Sequence, residues 1–240
     1  MASFVMLAFL AAVLLPFPAN GHEDAALSTE LPEVQEEIIN KHNELRKAVS
    51  PSASNMLKMQ WDSFAAANAQ KWADQCILKH SKPEQRKTDV KCGENLFLSS
   101  HPVSWSHAID SWYKESQNFE YNSGPKTPKA VVGHYTQVVW STSFKVGCAC
   151  AYCPNEKLRF FYVCQYCPAG NLVTKMKTPY KQGEPCDSCP DHCDDGLCTN
   201  ACEYEDNLSN CEQLKNMVGC SHSLTKTKCK ASCNCINKIY

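Results

Sequence analysis

The sequence predicts an α/β chain: a sandwich of helices around a small antiparallel sheet, about 145 residues long, followed by a small disulfide-rich region. Three observations carry this expectation. Apolar residues in the first half recur at helical spacing. Two later segments, Lys145–Tyr152 and Leu158–Tyr166, are rich in Val, Phe and Tyr and are joined by Pro154-Asn155-Glu156, a strand–turn–strand pattern. The 17 cysteines of the 240 residues crowd toward the end, with none before Cys76, seven between Cys76 and Cys167, and ten between Cys186 and Cys235.

The elements follow in order. Met1–Pro16 is an apolar run too short to span a bilayer comfortably, and Pro18, Ala19 and Gly21 follow it. This pattern reads as a signal peptide over residues 1–21, so the mature product is expected to be secreted. From Glu33, the residues Val34, Ile38, His42 and Leu45 share one helical face, with Glu36 and Glu37 early and Arg46 and Lys47 late, as the helix dipole favours. Ser50-Pro51 ends that helix. Asp62 can cap a second helix with the face Ala65, Ala69, Trp72 and Cys76. Ser104 can cap a third, carrying Trp105, Ile109, Trp112 and Tyr113. Val131–Trp140 is ambiguous: Gly133 argues against a regular strand, while His134, Val138 and Ser141 suit a short helix. Trp61, Trp72, Trp105, Trp112 and Trp140 read as core, and His42 reads as packing.

After Gly170 the apolar pattern fades. Residues 171–185 read as a flexible linker, and residues 186–240 are too few to build much core, so bridges must restrict their unfolded chain. The charge of this tail is split. Cys186–Cys211 holds seven acids and no Lys or Arg, whereas Glu212–Tyr240 holds five Lys and one Glu. Across the whole chain, 24 Lys+Arg against 25 Asp+Glu leave a charge of −1 and no general attraction for nucleic acid. So dense a use of cysteine points to an oxidising compartment and against a cytosolic enzyme.

Four segments carry a family resemblance: Lys41-His42-Asn43-Glu44-Leu45-Arg46, Cys92-Gly93-Glu94-Asn95-Leu96, Gly133 to Trp140 (GHYTQVVW), and Tyr162 to Asn171 (YVCQYCPAGN). With them, the chain resembles the superfamily of cysteine-rich secretory proteins, venom allergens and plant pathogenesis-related proteins. The cysteine-dense tail narrows this to the cysteine-rich secretory proteins, and the likeness is strongest to mammalian reproductive-tract and testis members. The resemblance implies an α-β-α sandwich over residues 33–170, a disulfide hinge over 186–201 and a helical, cysteine-rich ion-channel-regulator module over 202–240. It also implies the sandwich bridges Cys76–Cys153, Cys92–Cys167 and Cys148–Cys164, and the hinge bridges Cys186–Cys193 and Cys189–Cys198. In the module it implies Cys202–Cys235, Cys211–Cys229 and Cys220–Cys233. Cys150 is left over as the candidate unpaired thiol, open to three readings: a buried inert thiol, a rival partner for Cys164, or a bridge between chains. A zinc-ribbon reading of Cys150-x2-Cys153 and Cys164-x2-Cys167 competes with the disulfides.

By the same resemblance, His80, Glu94, Glu115 and His134 line a central cleft. Two neutral imidazoles can ligate zinc weakly, while Glu94 and Glu115 hold the other ring N–H groups; no cofactor is required. Catalysis is not expected. Gly-x-Ser-x-Gly and His-Glu-x-x-His are absent, and Ser81 is the only hydroxyl adjacent to a candidate histidine. Asn207-Leu208-Ser209 is the one glycosylation sequon. The expected function is that of a secreted, mostly monomeric regulator of membrane proteins, such as an ion channel or a gamete-surface receptor. A sterol carrier with a groove near Val131–Val132 is the alternative, and a metal-dependent extracellular hydrolase is third.

Overall fold

The computed structural model describes residues 26–240, so the segment read as a signal peptide lies outside the described residues. Among the described residues, no helix is long and apolar enough to cross a membrane. Four helices, α1 (Pro32–Lys47), α2 (Ser63–Ala73), α3 (Trp105–Tyr113) and the short α4 (Gly133–Val138), surround one sheet. Its strands are β1 (Gln60–Trp61), β2 (Gly93–Ser99), β3 (Lys145–Tyr152) and β4 (Phe160–Cys167), in the order β1-β3-β4-β2. Only β1 and β3 run parallel, so the sheet is mixed where an antiparallel one was expected. Crossing from β1 to β3 needs the whole intervening chain, which supplies α2, β2, α3 and α4.

The sheet is buried on both faces. On one side Ile38, Trp105, Ile109, Val138 and Tyr135 pack against Val146, Tyr162 and Tyr166. On the other, Ala69, Trp72 and Ala73 of α2 cover Ala149, Phe161 and Val163. Small residues on α2 let its backbone approach the sheet closely. At Gly147 any Cβ would collide with the backbone of Asp62 and Ala66. The caps are those the side chains suggest: Asp62 accepts from Ala65 N at 2.7 Å, and Ser104 accepts from His107 N at 3.2 Å. Of the five tryptophans, Trp72, Trp105, Trp112 and Trp140 are buried and Trp61 is half-buried.

Eight disulfides join Cys76–Cys153, Cys92–Cys167, Cys148–Cys164, Cys186–Cys193, Cys189–Cys198, Cys202–Cys235, Cys211–Cys229 and Cys220–Cys233. Cys148 and Cys164 stand opposite each other in the β3–β4 register. These bonds engage three of the four sulfurs that the zinc-ribbon spacing requires. Cys150 shares the Cys148 face of β3, half-buried against the main core rather than fully enclosed.

The segment 171–185 is not a loose tether. Asn122 N donates to Lys177 O, Ser141 N to Pro179 O, Ser54 N to Lys181 O, and Gly183 N to Ser52 O. Tyr180 is buried in the sandwich core, and its carbonyl accepts from Tyr121 Oη at 2.7 Å. The hinge continues the attachment. Cys198 N donates to Met56 O and Lys58 N to Cys198 O, both at 2.8 Å. Cys186, Cys189 and Cys198 then pack with Leu57, Phe144 and the returning tail residue Ile239. Lys47–Asp195, Lys58–Asp194 and Lys145–Glu203 pairs ring this contact. Three acids of the acidic half therefore face the sandwich's own lysines.

Beyond the hinge, α5 (Cys211–Val218), α6 (Ser223–Lys228) and α7 (Lys230–Asn234) form the cysteine-rich module. Its apolar centre is Cys202, Ala231 and Cys235, so covalent bridges stand where a larger domain would place aliphatic side chains.

Candidate metal centre

The four candidate residues assemble as two His–Glu pairs. In the first, Glu94 enters at the start of β2 with its side chain fully enclosed, while His80 lies in the loop after α2 with half its side chain exposed. Glu94 Oε1 accepts from His80 Nδ1 at 2.9 Å and from Ser81 N at 2.9 Å; Oε2 accepts from Ser81 Oγ at 2.6 Å and from Gln165 Nε2 at 3.4 Å. Arg86 Nη1 lies 3.6 Å from the same carboxylate. Burial by itself would raise the Glu94 pKa. The hydrogen bonds from His80 and Ser81, together with the Arg86 charge, outweigh burial and hold it below the ordinary carboxyl value. An ionised carboxylate only accepts, so His80 donates from Nδ1, and in the neutral ring Nε2 is the lone pair.

The second pair repeats the device. Glu115 lies in the 3₁₀ turn Lys114–Asn118 after α3. Its Oε1 accepts from His134 Nδ1 at 2.6 Å, and its Oε2 accepts from His134 N at 3.0 Å and Tyr135 N at 3.2 Å. One carboxylate thus satisfies the exposed amides at the start of α4 and orients the ring. Trp112 stacks on His134, with centroids 6.5 Å apart and planes 17° from parallel. The pairs flank the edge strand β2 through successive residues, because Asn95, next to Glu94, donates from Nδ2 to His134 O at 3.1 Å. Among the described residues no hydrogen bond joins the two pairs directly.

This donor set fits a soft-to-borderline divalent ion. Two imidazole Nε2 atoms are offered, and each ring is oriented through its other nitrogen by a carboxylate. Glu94 accepts four hydrogen bonds and Glu115 three, so the histidine Nε2 atoms are the readier groups to ligate. A different triad, Cys186, Cys189 and Cys198, brings its sulfurs within 4.8 Å of one another, but all three are in disulfides and offer no thiolate.

The remaining candidates separate cleanly. Ser81 is buried and its hydroxyl donates to Glu94, not to His80, so it supports the carboxylate and makes no Ser–His pair. His42 is enclosed by α1 and the sheet. Its Nδ1 donates to Ile38 O, its Nε2 accepts from Tyr166 Oη at 2.9 Å, and burial pulls its pKa down to about 4. Val131 is exposed but Val132 is core, so a groove at this point has one apolar wall residue rather than two. Asn207 is exposed.

The residue that sequence reasoning missed is Arg46. It is fully buried without a carboxylate partner, and it makes six hydrogen bonds to five carbonyls: Leu57 (twice), Val138, Trp140, Ser141 and Ser143, at 2.7–3.2 Å. It ties α1 to the loop before β1 and to the segment after α4. Burial pulls the guanidinium pKa down to about 9, which leaves it charged at neutral pH. Gln165 was missed as well, although its position opposite Glu94 in the β2–β4 register follows once the strands are known.

Comparison with known proteins agrees with this architecture. A family model described as "Cysteine-rich secretory protein family" matches residues 39–166, and a second, described as "Crisp", matches residues 186–240. Human cysteine-rich secretory protein 3 is 61% identical over 245 residues, covering 100% of both chains. Human cysteine-rich secretory protein 2 is 61% identical over 236 residues, covering 97% of each. Among solved structures, that described as "NaASP2 with Zn2+" is 35% identical with a TM-score of 0.59, covering 70% of this chain and 96% of the other. Na-ASP-1 is 30% identical with a TM-score of 0.60, covering 72% of this chain and 48% of the other. With the sandwich, the hinge and the disulfide-built module all matched in one chain, this protein belongs to the cysteine-rich secretory protein family.

Proposed function

We propose that the protein is a secreted, non-enzymatic regulator that binds membrane proteins, an ion channel or a gamete-surface receptor, chiefly through its terminal module. The observation that carries this reading is the placement of charge. The acidic half turns Asp194, Asp195 and Glu203 toward lysines of the sandwich, while Lys226, Lys228 and Lys230 of the module are exposed. The Ser81 hydroxyl is committed to Glu94, which favours a binding role over a Ser–His hydrolase. The test is binding of the intact, oxidised chain to cells before and after surface proteolysis. Saturable binding should be lost on proteolysis and weakened in a Lys226→Ala, Lys228→Ala, Lys230→Ala variant. Binding that survives proteolysis unchanged would refute a protein target.

The His80 and His134 pairs are read as a weak zinc site. Supporting this are the two oriented imidazoles and a zinc-containing relative structure of the same fold. Zinc titration should give heat that disappears in the His80→Ala, His134→Ala variant; unchanged binding there would place the metal elsewhere.

A further inference from the structure

The module leaves several large apolar side chains uncovered, Ile236 among them, and three of these lie around one turn. Between α5 and α6 the chain turns over, and Met217, Val218 and Leu224 at this tip are 79%, 42% and 41% exposed. Gly219 at the crest has φ 74°, with no atom within 4 Å of where a Cβ would stand. The projection is nevertheless well held. The Cys220–Cys233 disulfide pins it to α7, and His222 Nδ1 accepts from Leu224 N at 3.3 Å, capping α6. These side chains have nowhere to go inward, because the module's own apolar centre is only Cys202, Ala231 and Cys235.

Charge points the same way. Gln213–Tyr240 carries Lys215, Lys226, Lys228, Lys230 and Lys238 and no Asp or Glu. Two acids hydrogen-bond to this segment and keep their charge. Asp206 accepts from Ser232 N and Oγ, and Glu212, at the far end of α5 from the tip, accepts from Tyr240 Oη. The whole-chain charge of −1 conceals this local excess.

We propose that this tip is a docking surface for a phospholipid bilayer. Met217, Val218 and Leu224 enter the boundary between headgroups and acyl chains, and the lysines of α5 and α6 contact anionic headgroups. Large apolar side chains on a pinned loop, flanked by cations and lacking acids, match that interface in both polarity and sign. The contact requires no protein receptor, so vesicles test it apart from the function proposed above, although both readings draw on Lys226 and Lys228.

Vesicles of phosphatidylcholine, with or without phosphatidylserine, provide the test with the intact oxidised chain. Co-sedimentation should be weak on phosphatidylcholine and stronger with phosphatidylserine, and it should weaken as salt rises. Met217→Ser with Leu224→Ser should reduce affinity roughly tenfold or more on both vesicles. Lys226→Ala with Lys228→Ala should reduce it by roughly tenfold on the anionic vesicles alone. Val173→Ser removes a residue 91% exposed on the sandwich side and should change nothing. All five positions are exposed, so thermal stability should be preserved. The proposal is overturned if neither vesicle binds, if binding ignores the tip substitutions, or if the tip instead supports a dimer that Met217→Ser dissolves.

Discussion

Replacing Arg46 with Met keeps the apolar stem and the approximate volume but removes every donor of the guanidinium. Five buried carbonyls lose a partner. Two of them retain another: Trp140 O also accepts from Ser143 N, and Ser141 O from Leu57 N. Leu57, Val138 and Ser143 have no other donor to their carbonyls among the described residues. At about 1–3 kcal/mol for each buried acceptor left unsatisfied, the expected loss is about 3–9 kcal/mol, comparable to the whole stability of an ordinary domain. Removing a desolvated cation offsets part of this, which places the expectation toward the lower end. Arg46→Lys retains the charge but offers three donors from one nitrogen, which cannot reach carbonyls spread around a planar fork, so it should recover only a minor part. The measurement is urea unfolding of the fully oxidised protein, followed by tryptophan fluorescence. Because the disulfides persist in the unfolded state, the comparison isolates the non-covalent loss. If Arg46→Met unfolds within about 1 kcal/mol of the parent, the carbonyl hub is not a stability determinant.

Four further expectations follow from contacts described above. His42 is held neutral, with its pKa lowered from 6.5 to about 4, so the unfolded chain binds the proton first as pH falls; stability should drop across that window by about 3 kcal/mol, and His42→Gln should flatten the slope of Tm against pH there. Glu94 has its pKa lowered too, so its contribution is lost only as pH falls below the ordinary carboxyl range, and a slope below about pH 4 surviving in His42→Gln is expected. Glu94→Gln leaves both imidazoles in place but exchanges the carboxylate for a neutral amide with one acceptor oxygen, a weaker partner for His80 Nδ1; zinc affinity should fall about tenfold to a hundredfold, and an unchanged titration would mean that the carboxylate does not tune the imidazole. At the hinge, Leu57→Ala should cost about 2–5 kcal/mol because it opens the apolar seat, whereas Lys58→Ala and Lys145→Ala, in solvent-exposed pairs, should each cost about 1 kcal/mol or less; equal effects in thermal denaturation would make the docking electrostatic.

What could be read from the residues alone was mostly local. Asp62 and Ser104 announce helix starts because a cap acts on an amide three residues away. Strand β2 was not announced. Leu96, Phe97 and Leu98 face both covered sides of the sheet, so no polar–apolar alternation survives, and Gly93-Glu94-Asn95 resembles a loop. The segment 171–185 looked detached because most of its attachments are made by main-chain atoms, which carry no side-chain signature. Arg46 looked like an ordinary cation at a helix end, since its acceptors are carbonyls 11 to 97 residues away. The pairing of His80 with Glu94 and of His134 with Glu115 spans 14 and 19 residues, and it came from likeness to a family rather than from any spacing rule.

The seat of the hinge on Leu57 and Phe144 makes the molecule a caliper. A sandwich and a module on a slack tether would sample many separations, and gripping one object would barely help the other find a second. Here the main-chain bonds between Met56, Lys58 and Cys198 set the gap between the jaws. Two feeble attachments at the right spacing on one target would then multiply into a durable one, while the same attachments at the wrong spacing would act singly. On the function proposed above, target choice would then be partly a matter of length, and substitutions confined to the hinge would retune it.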